Sequence, residues 1–183
     1  MKNNNNKSFF ETRVLTEGAI TAALAVALNF FKLDLGPEGG SVNLVLIPLV
    51  LFAMRRGVLP GMIVGAVFGT LKAMIGGGIS YGWQSLFLDY SAAYALVGLA
   101  GLFNNKPVLS TLVGAAGCLA SFVLSGVLVW GDYLPETFWG LPMANIWVYS
   151  LLYNGSFVLC NAILCAVVLC VLKKTTNLTL RQC

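Results

Sequence analysis

The chain has 183 residues, of which 58% are hydrophobic and only 10% are charged, and its formal net charge is +4. A soluble domain usually carries about 25% charged residues, so this composition excludes an ordinary soluble protein and indicates one embedded in a membrane. The absence of histidine excludes imidazole bases, histidine metal sites and Ser-His triads. The five cysteines form no CxxC pair and are expected to be apolar filler. We therefore predict neither catalytic residues nor a metal site.

Six apolar segments follow residues 1–10, which are expected to form a flexible polar tail. The segments cover residues 13–32, 42–54, 58–75, 84–103, 108–130 and 142–172. A spanning helix needs about 20 residues. The second segment is short and contains Pro48, so we expect it to be kinked, tilted or partly buried in protein. The first segment ends in NFFKLDLG without a small-x-small cleavage site and is expected to be a retained membrane helix.

The pattern predicts an all-α membrane protein, a six-transmembrane-helix bundle that forms one domain over residues 11–174. Residues 175–183 are expected to form a cytoplasmic C-terminal tail. With six spans, nine of the eleven basic residues fall on the side that carries both termini, so the positive-inside rule places both termini in the cytoplasm. These nine residues are Lys2, Lys7, Arg13, Arg55, Arg56, Lys106, Lys173, Lys174 and Arg181.

The fourth segment contains a single acidic residue, Asp89, about five residues from its predicted outer end. A charged side chain at mid-bilayer costs about 2.5–3.5 kcal/mol on insertion scales, so it faces a bundle interior or a cavity. Lys72, near the outer end of the third segment, is the only basic candidate for an internal partner. Asp89 therefore either pairs with Lys72, binds a cation that arrives from outside, or is a hydrated carboxylate at the interface.

Aromatic residues collect near Asp89 in the predicted outer segments, and all four tryptophans lie there. An interfacial aromatic belt would spread such residues over both faces of the membrane. A carboxylate beside several aromatic rings is the chemistry that holds a delocalised organic cation. The aromatic residues are Tyr81, Trp83, Tyr90, Trp130, Tyr133, Phe138, Trp139, Trp147, Tyr149 and Tyr153.

The sixth segment adds polar groups in the stretch WVYSLLYNGSF. Tyr149 and Tyr153 are i,i+4 neighbours on one helix face, and so are Ser150 and Asn154. Asn154 can both donate and accept, which suits recognition of a ring edge with mixed donors and acceptors. Interhelical hydrogen bonding is the alternative role for this asparagine.

The first segment carries small residues at a helical spacing. Ala19, Ala23 and Ala27 fall at i, i+4 and i+8 and form a ridge that another helix can approach closely. The partner helix is either internal or part of a separate subunit.

Three stretches of sequence resemble a known family. They are RRG after the second segment, LDYSAAYALVGLAGLF in the fourth, and FWG followed by VYSLLYNGSF in the sixth. On these motifs the chain resembles the thiamine-specific substrate-binding subunit, or S component, of energy-coupling factor (ECF) transporters, over most of its length. The resemblance implies six membrane helices in a bacterial cytoplasmic membrane, with a substrate site near the outer face that external loops close.

The resemblance also implies the binding residues. Asp89 takes the place of the family's acidic residue that faces the thiazolium cation of thiamine, where glutamate is usual. Tyr90, Trp139, Tyr149 and Asn154 take the places of its other ligand contacts.

Three further aromatic residues are expected in the site, namely Phe68, Phe122 and Trp83. Phe68 stands where the family carries tryptophan, and Gly77 and Phe122 stand where it carries histidine. Phe122 can stack on a pyrimidine but cannot hydrogen-bond to it. These departures leave a thiamine precursor or another vitamin open as the ligand.

The resemblance implies partners as well. The alanine ridge is similar to the surface by which S components dock on a shared transmembrane coupling subunit, which two ATP-binding proteins drive. The stretch GGGIS lacks the GxxxxGK[ST] pattern, so we expect the chain to need no cofactor of its own and its partners to use the ATP. We also expect the chain to bind thiamine and to contact membrane lipid. We expect no nucleic acid partner.

The sequence leaves two rival functions open. The first is a self-sufficient carrier that uses Asp89 as its proton site. The second is a membrane enzyme or a structural subunit, and the lack of histidine argues against an intramembrane hydrolase.

Overall fold

The computed structural model describes residues 11–36 and 39–176, so the predicted tails at 1–10 and from 177 onward lie outside the described residues. Apart from one 3-10 turn at Gly78–Tyr81, the described chain forms six helices and two short antiparallel strand pairs. In order these are α1 (Thr12–Asn29), β1 (Lys32–Gly36), β2 (Gly39–Asn43), α2 (Leu46–Arg56), α3 (Val58–Ile75), α4 (Trp83–Leu102), α5 (Pro107–Leu128), β3 (Thr137–Phe138), β4 (Leu141–Pro142) and α6 (Ile146–Thr176).

The six predicted segments correspond to the six helices, which confirms the helical fold class. Within the described part of the chain, α3, α4, α5 and α6 are long and apolar enough to cross a membrane by length and composition. Helix α2 has 11 residues, and at 1.5 Å per residue it extends only about 16 Å. Val50, Ala53 and Met54 are fully buried in it, so of the three expectations for this segment, burial in protein is the one observed.

The strand pair β1–β2 is a correction to the prediction of a purely helical chain. The sequence analysis ends the first segment at Lys32 and begins the second at residue 42, with no strand between them, but Lys32 pairs with Asn43 and Leu33 with Val42. The side of the membrane on which the two chain termini lie stays a prediction.

The boundaries of α2 follow from local chemistry. The side chain of Asn43 accepts a hydrogen bond from the backbone N–H of Val45 at 3.1 Å, a local turn that precedes the helix. Pro48 lies in the first turn, where its missing N–H leaves no hydrogen bond unmade. The helix ends at Gly57, whose φ of 93° is open to glycine and strained for other residues, and α3 begins directly after it.

A stripe of glycines on α3 sets its distance from α4. Gly61, Gly65 and Gly69 recur every four residues, and a Cβ on any of them would overlap α4 or α2. At Gly65 and Gly69 the overlap would be with the backbone carbonyls of Tyr94 and Tyr90. Small residues at such spacing let helix backbones approach closely. The stripe therefore determines where α4 presents its side chains.

Helix α1 is joined to α2 by charge. Arg56 makes a bidentate contact with Glu17, with Nε 2.7 Å from Oε2 and Nη2 2.5 Å from Oε1. Arg13 reaches the same carboxylate at 3.3 Å. A planar guanidinium that meets both carboxylate oxygens fixes orientation as well as distance. The end of α2 is thereby tied to the first turns of α1.

Candidate functional site

A cavity of about 840 Å³ lies among α3, α4, α5 and α6. Residues between positions 40 and 46, from β2 and the start of α2, form one side of it, and residues 133–135 of the α5–α6 connection form another. Its volume is within the range of roughly 300–1,000 Å³ that is typical of small-molecule sites.

The carboxylate of Asp89 lines this cavity and is held by two neutral donors. Ser85, one helical turn earlier, donates its hydroxyl to Oδ2 at 2.7 Å, and the indole N–H of Trp130 donates to the same oxygen at 3.1 Å. In the part of the chain that the structure describes, no side chain donates to Oδ1. The two donors orient the carboxylate without cancelling its charge, so it keeps the capacity to attract a cation.

The helix around Asp89 is irregular. Residues Leu86–Ala92 form a π-helix inside α4, and π-helical turns are frequently found at functional sites. Within this segment the carbonyl of Leu88 accepts a hydrogen bond from the hydroxyl of Ser121 on α5 at 2.7 Å. The contact ties the widened turn to its neighbour and helps to hold Asp89 toward the cavity.

Lys72 also lines the cavity, but it does not pair with Asp89. Its Nζ donates to the hydroxyl of Tyr94 at 2.6 Å and lies 4.8 Å from the centre of that ring and 5.9 Å from the centre of the Tyr90 ring. Among the described residues, no ion pair within 4.0 Å joins Lys72 to Asp89. The ion-pair alternative for Asp89 is therefore wrong, because Lys72 binds Tyr94, which lies about one helical turn beyond Asp89 on α4.

A continuous set of aromatic side chains forms one wall of the cavity. We call it the aromatic wall, and it consists of Tyr149, Tyr153, Phe157, Phe122 and Tyr94. Tyr149 and Tyr153 stack with ring centres 5.7 Å apart, and each later pair along the wall lies between 5.7 and 6.2 Å. Such a surface offers ring faces to a flat ligand.

Asn154 lies on the same helix with its amide nitrogen already engaged. Its Nδ2 donates to the carbonyl and the hydroxyl of Ser150 at 2.9 and 3.2 Å, and approaches the carbonyl of Phe122 at 3.5 Å. Within the described residues no group donates to its Oδ1. The side chain therefore presents an acceptor to the cavity and uses its donors to brace α6 against α5.

Asn161 fixes the strand pair at the side of the cavity. Its Oδ1 accepts from the backbone N–H of Asn43 at 2.8 Å, and its Nδ2 donates to the carbonyl of Ser41 at 2.9 Å. Gly40, at φ +61°, faces the ring of Phe157, and a Cβ there would overlap that ring. All these residues line the cavity, so α6 and β2 form one rigid side of it.

Five of the eight predicted ligand contacts line this one cavity. They are Asp89, Tyr90, Phe122, Tyr149 and Asn154.

The other three predicted contacts lie elsewhere. Trp83 is the first residue of α4 and is 76% exposed. Trp139 is also 76% exposed, has a φ of 51° in the β3–β4 turn, and stacks on Phe138 with ring centres 5.1 Å apart. Phe68 is fully buried and packs edge-on against Tyr94 at 4.8 Å, behind the aromatic wall.

Sequence reasoning missed several residues of the cavity. Phe157 and Asn161 continue the four-residue spacing of Tyr149 and Tyr153. Extending that helix face by two turns would have predicted both residues. Ser85 precedes Asp89 by four residues and could have been found in the same way. The strand residues carry no such signal, because only the folded chain brings them to α6.

The predicted docking ridge lies away from the cavity. Ala19, Ala23 and Ala27 are all exposed on α1, and the large apolar side chains Ile20 and Leu24 are exposed beside them. The ridge is thus available to a membrane partner or to lipid.

Comparisons with known proteins bear on this site. The sequence profile of the family described as Thiamine transporter protein (Thia_YuaJ) matches residues 15–180. The chain is 32% identical over 187 aligned residues to the thiamine transporter ThiT of Bacillus subtilis (strain 168), covering 92% of this chain and 94% of that protein. It is 35% identical over 178 residues to the thiamine transporter ThiT of Lacticaseibacillus paracasei, covering 87% and 86%. A solved structure of ThiT from Listeria monocytogenes, 23% identical, has the same fold, with a TM-score of 0.79 over 92% of this chain and 97% of that one.

Proposed function

This chain belongs to the thiamine transporter protein family, and we propose on that premise that it is the thiamine-binding subunit of an ATP-driven vitamin uptake transporter. The family match confirms the resemblance to thiamine-specific S components. It also identifies the chain as a multi-pass protein of the bacterial cell membrane, and its relatives are transporters and not enzymes.

The observation that carries the proposal is the environment of the Asp89 carboxylate. Its carboxylate faces a cavity, is oriented by neutral donors and has no ion-pair partner among the described residues. A charge in such a place is costly unless it is compensated. The thiazolium ring of thiamine is a permanent, delocalised cation, so binding it next to Asp89 supplies the missing partner. The nearby ring of Tyr90 adds a cation–π contact.

The second half of thiamine is an aminopyrimidine, and Asn154 suits it. The exocyclic amino group donates hydrogen bonds, and Oδ1 of Asn154 is the acceptor that the cavity presents. Phe122 and Tyr149, which lie in the aromatic wall on either side of Phe157 and Tyr153, offer faces for the ring to stack on. We expect the pyrimidine to lie against α6 and the thiazolium against α4.

Ligand contact by Phe68, Trp83 or Trp139 stays a prediction, since none of the three lines the cavity. The burial of Phe68 behind Tyr94 supports an indirect role for it, namely holding that ring in place.

The proposal also concerns how transport is coupled to ATP. The sequence contains no phosphate-binding glycine loop, so we infer that a transmembrane coupling subunit and two ATP-binding subunits supply the energy. The exposed ridge of Ala19, Ala23 and Ala27 supports docking of that coupling subunit on α1, because small residues allow close approach of helices.

Titration of the purified protein with thiamine and with its two separate halves tests the binding proposal. We expect tryptophan fluorescence to quench and saturate with thiamine. Asp89→Asn removes the charge and should weaken thiamine and the thiazolium half by at least about a hundredfold, while the neutral pyrimidine half changes little. Asp89→Glu is the matched control and should retain binding, because it keeps the carboxylate.

Two results would overturn this assignment. Equal weakening of both halves by Asp89→Asn would show that the carboxylate does not recognise charge. Saturation by one half but not by thiamine would make a thiamine precursor the ligand.

A further inference from the structure

The binding of a cation does not explain why Lys72 lines the cavity. Lys72 places a second positive charge in the cavity that takes a positively charged ring, and it lies within 5.9 Å of the Tyr90 ring that faces the same space. A site shaped only to attract cations would gain from a neutral residue at this position, because like charges at short range repel.

The hydrogen bonds of Lys72 are incomplete. An ammonium group has three donors, and in the described chain the one acceptor of Lys72 is the hydroxyl of Tyr94 at 2.6 Å. Lys72 lines the cavity, so an acceptor on a bound ligand is within reach of its remaining N–H groups. Donors of a charged group that stay unpaired in a desolvated site are costly, so a ligand acceptor there would be strongly favoured.

The two charges of the cavity are separate. Asp89 is held by Ser85 and Trp130, and Lys72 is held by Tyr94. The carboxylate and the ammonium are therefore both available to the same guest. A ligand complementary to both has a cationic ring at one end and an oxygen acceptor beside it.

We propose that Lys72 is a specificity-determining residue of this cavity, which selects cations that carry an alcohol or phosphate oxygen next to the charged ring. The inference rests on the proposed function and deepens it. Thiamine carries a short alkyl tail on its thiazolium ring that ends in a hydroxyl, and its monophosphate ester carries an anionic oxygen there. Lys72 also repels the ring itself, so it orients the guest with the cation toward Asp89 and the tail toward α3.

The test compares three ligands by isothermal titration calorimetry on the purified full-length protein. They are thiamine, thiamine monophosphate, and a thiamine analogue whose hydroxyethyl tail is replaced by ethyl. We expect the wild-type protein to bind the ethyl analogue about tenfold more weakly than thiamine, because the analogue leaves the ammonium donors unpaired.

Two variants separate charge from shape. Lys72→Met keeps the length of the side chain and removes the charge, so the preference for thiamine over the ethyl analogue should disappear. The monophosphate should lose about tenfold more affinity than thiamine does in this variant, since a charged acceptor gains most from the ammonium. Lys72→Arg keeps the charge and should retain both preferences.

The experiment separates failure of the proposed function from failure of the role assigned to Lys72. If the wild-type protein binds none of the three ligands, the thiamine assignment itself fails. If it binds thiamine and the ethyl analogue equally well, the role of Lys72 is wrong, and this comparison needs no variant to fold. Equal weakening of all three ligands by Lys72→Met would likewise make Lys72 a structural residue. A monophosphate that binds more tightly than thiamine would identify the phosphate as the preferred acceptor, and the reverse order would identify the alcohol.

Discussion

At the scale of single residues, the site depends on how Asp89 is held. Hydrogen bonds from neutral donors stabilise a carboxylate and leave its net charge in place, whereas an ion pair would cancel it. Trp130 contributes both an N–H group and a ring to this arrangement, because it donates to Asp89 and lines the cavity. The affinity for a cation therefore depends on groups that carry no charge themselves.

A pair of tryptophan substitutions tests this dependence. Trp130→Phe keeps an aromatic ring and removes the N–H that orients Asp89, so we expect thiamine to bind about three- to tenfold more weakly, the net value of one hydrogen bond. Trp83→Phe is the matched control, since Trp83 is 76% exposed and lies outside the cavity. Calorimetric titration measures both variants without relying on tryptophan fluorescence. A larger loss in Trp83→Phe than in Trp130→Phe would contradict the cavity as the binding site.

At the scale of elements, the glycine stripe of α3 positions the site. Gly65 and Gly69 let the backbone of α4 come within contact of α3, directly behind Tyr94 and Tyr90. The π-helical segment then turns Asp89 inward. The site is thus built on two helices held at a distance that only glycine allows.

Two glycine-to-alanine substitutions should have opposite effects on stability. In Gly65→Ala the new methyl group would overlap the Tyr94 carbonyl, and we expect a loss of about 1–3 kcal/mol or more, together with weaker binding. In Gly155→Ala nothing lies within 4 Å of the new Cβ, and helix propensity predicts a gain of about 0.4–1 kcal/mol. Thermal unfolding in detergent measures both changes. Equal melting temperatures would show that the close approach of α3 and α4 is unimportant.

At the scale of the whole molecule, one helix connects the cavity to α1. Val45 and Leu46, at the start of α2, line the cavity, while Arg56 at its end binds Glu17 of α1. The core of α2 is fully buried, so α2 packs as one body between the cavity and α1. The ligand site and the exposed alanine ridge are therefore linked by a single packed element.

Uptake into proteoliposomes tests how the molecule is driven. We expect no thiamine uptake with a pH gradient alone and uptake only with the ATP-driven module, because the sequence contains no phosphate-binding glycine loop. Ala23→Trp, on the exposed ridge, should abolish uptake and leave thiamine binding unchanged. Ala120→Trp, exposed on α5, is the matched control and should affect neither. Uptake by the protein alone in a pH gradient would instead establish a proton-coupled carrier.

The sequence by itself determined the membrane class, the six helices and the presence of a single carboxylate, Asp89, in the fourth apolar segment. Apolar length and the cost of an intramembrane charge are properties of a single segment and its solvent, so they can be read locally. The face of α6 that carries Tyr149, Tyr153 and Asn154 was found for the same reason, since helical periodicity is local.

Only the tertiary structure decided which groups meet in the cavity. The bond between Asn43 and Asn161 joins residues 118 positions apart, and that between Asp89 and Trp130 joins residues 41 apart. That Lys72 turns to Tyr94 and not to Asp89 likewise depends on how α3 packs against α4. No local pattern encodes such contacts, because they arise from the mutual placement of helices that the glycine stripe and the strand pair set.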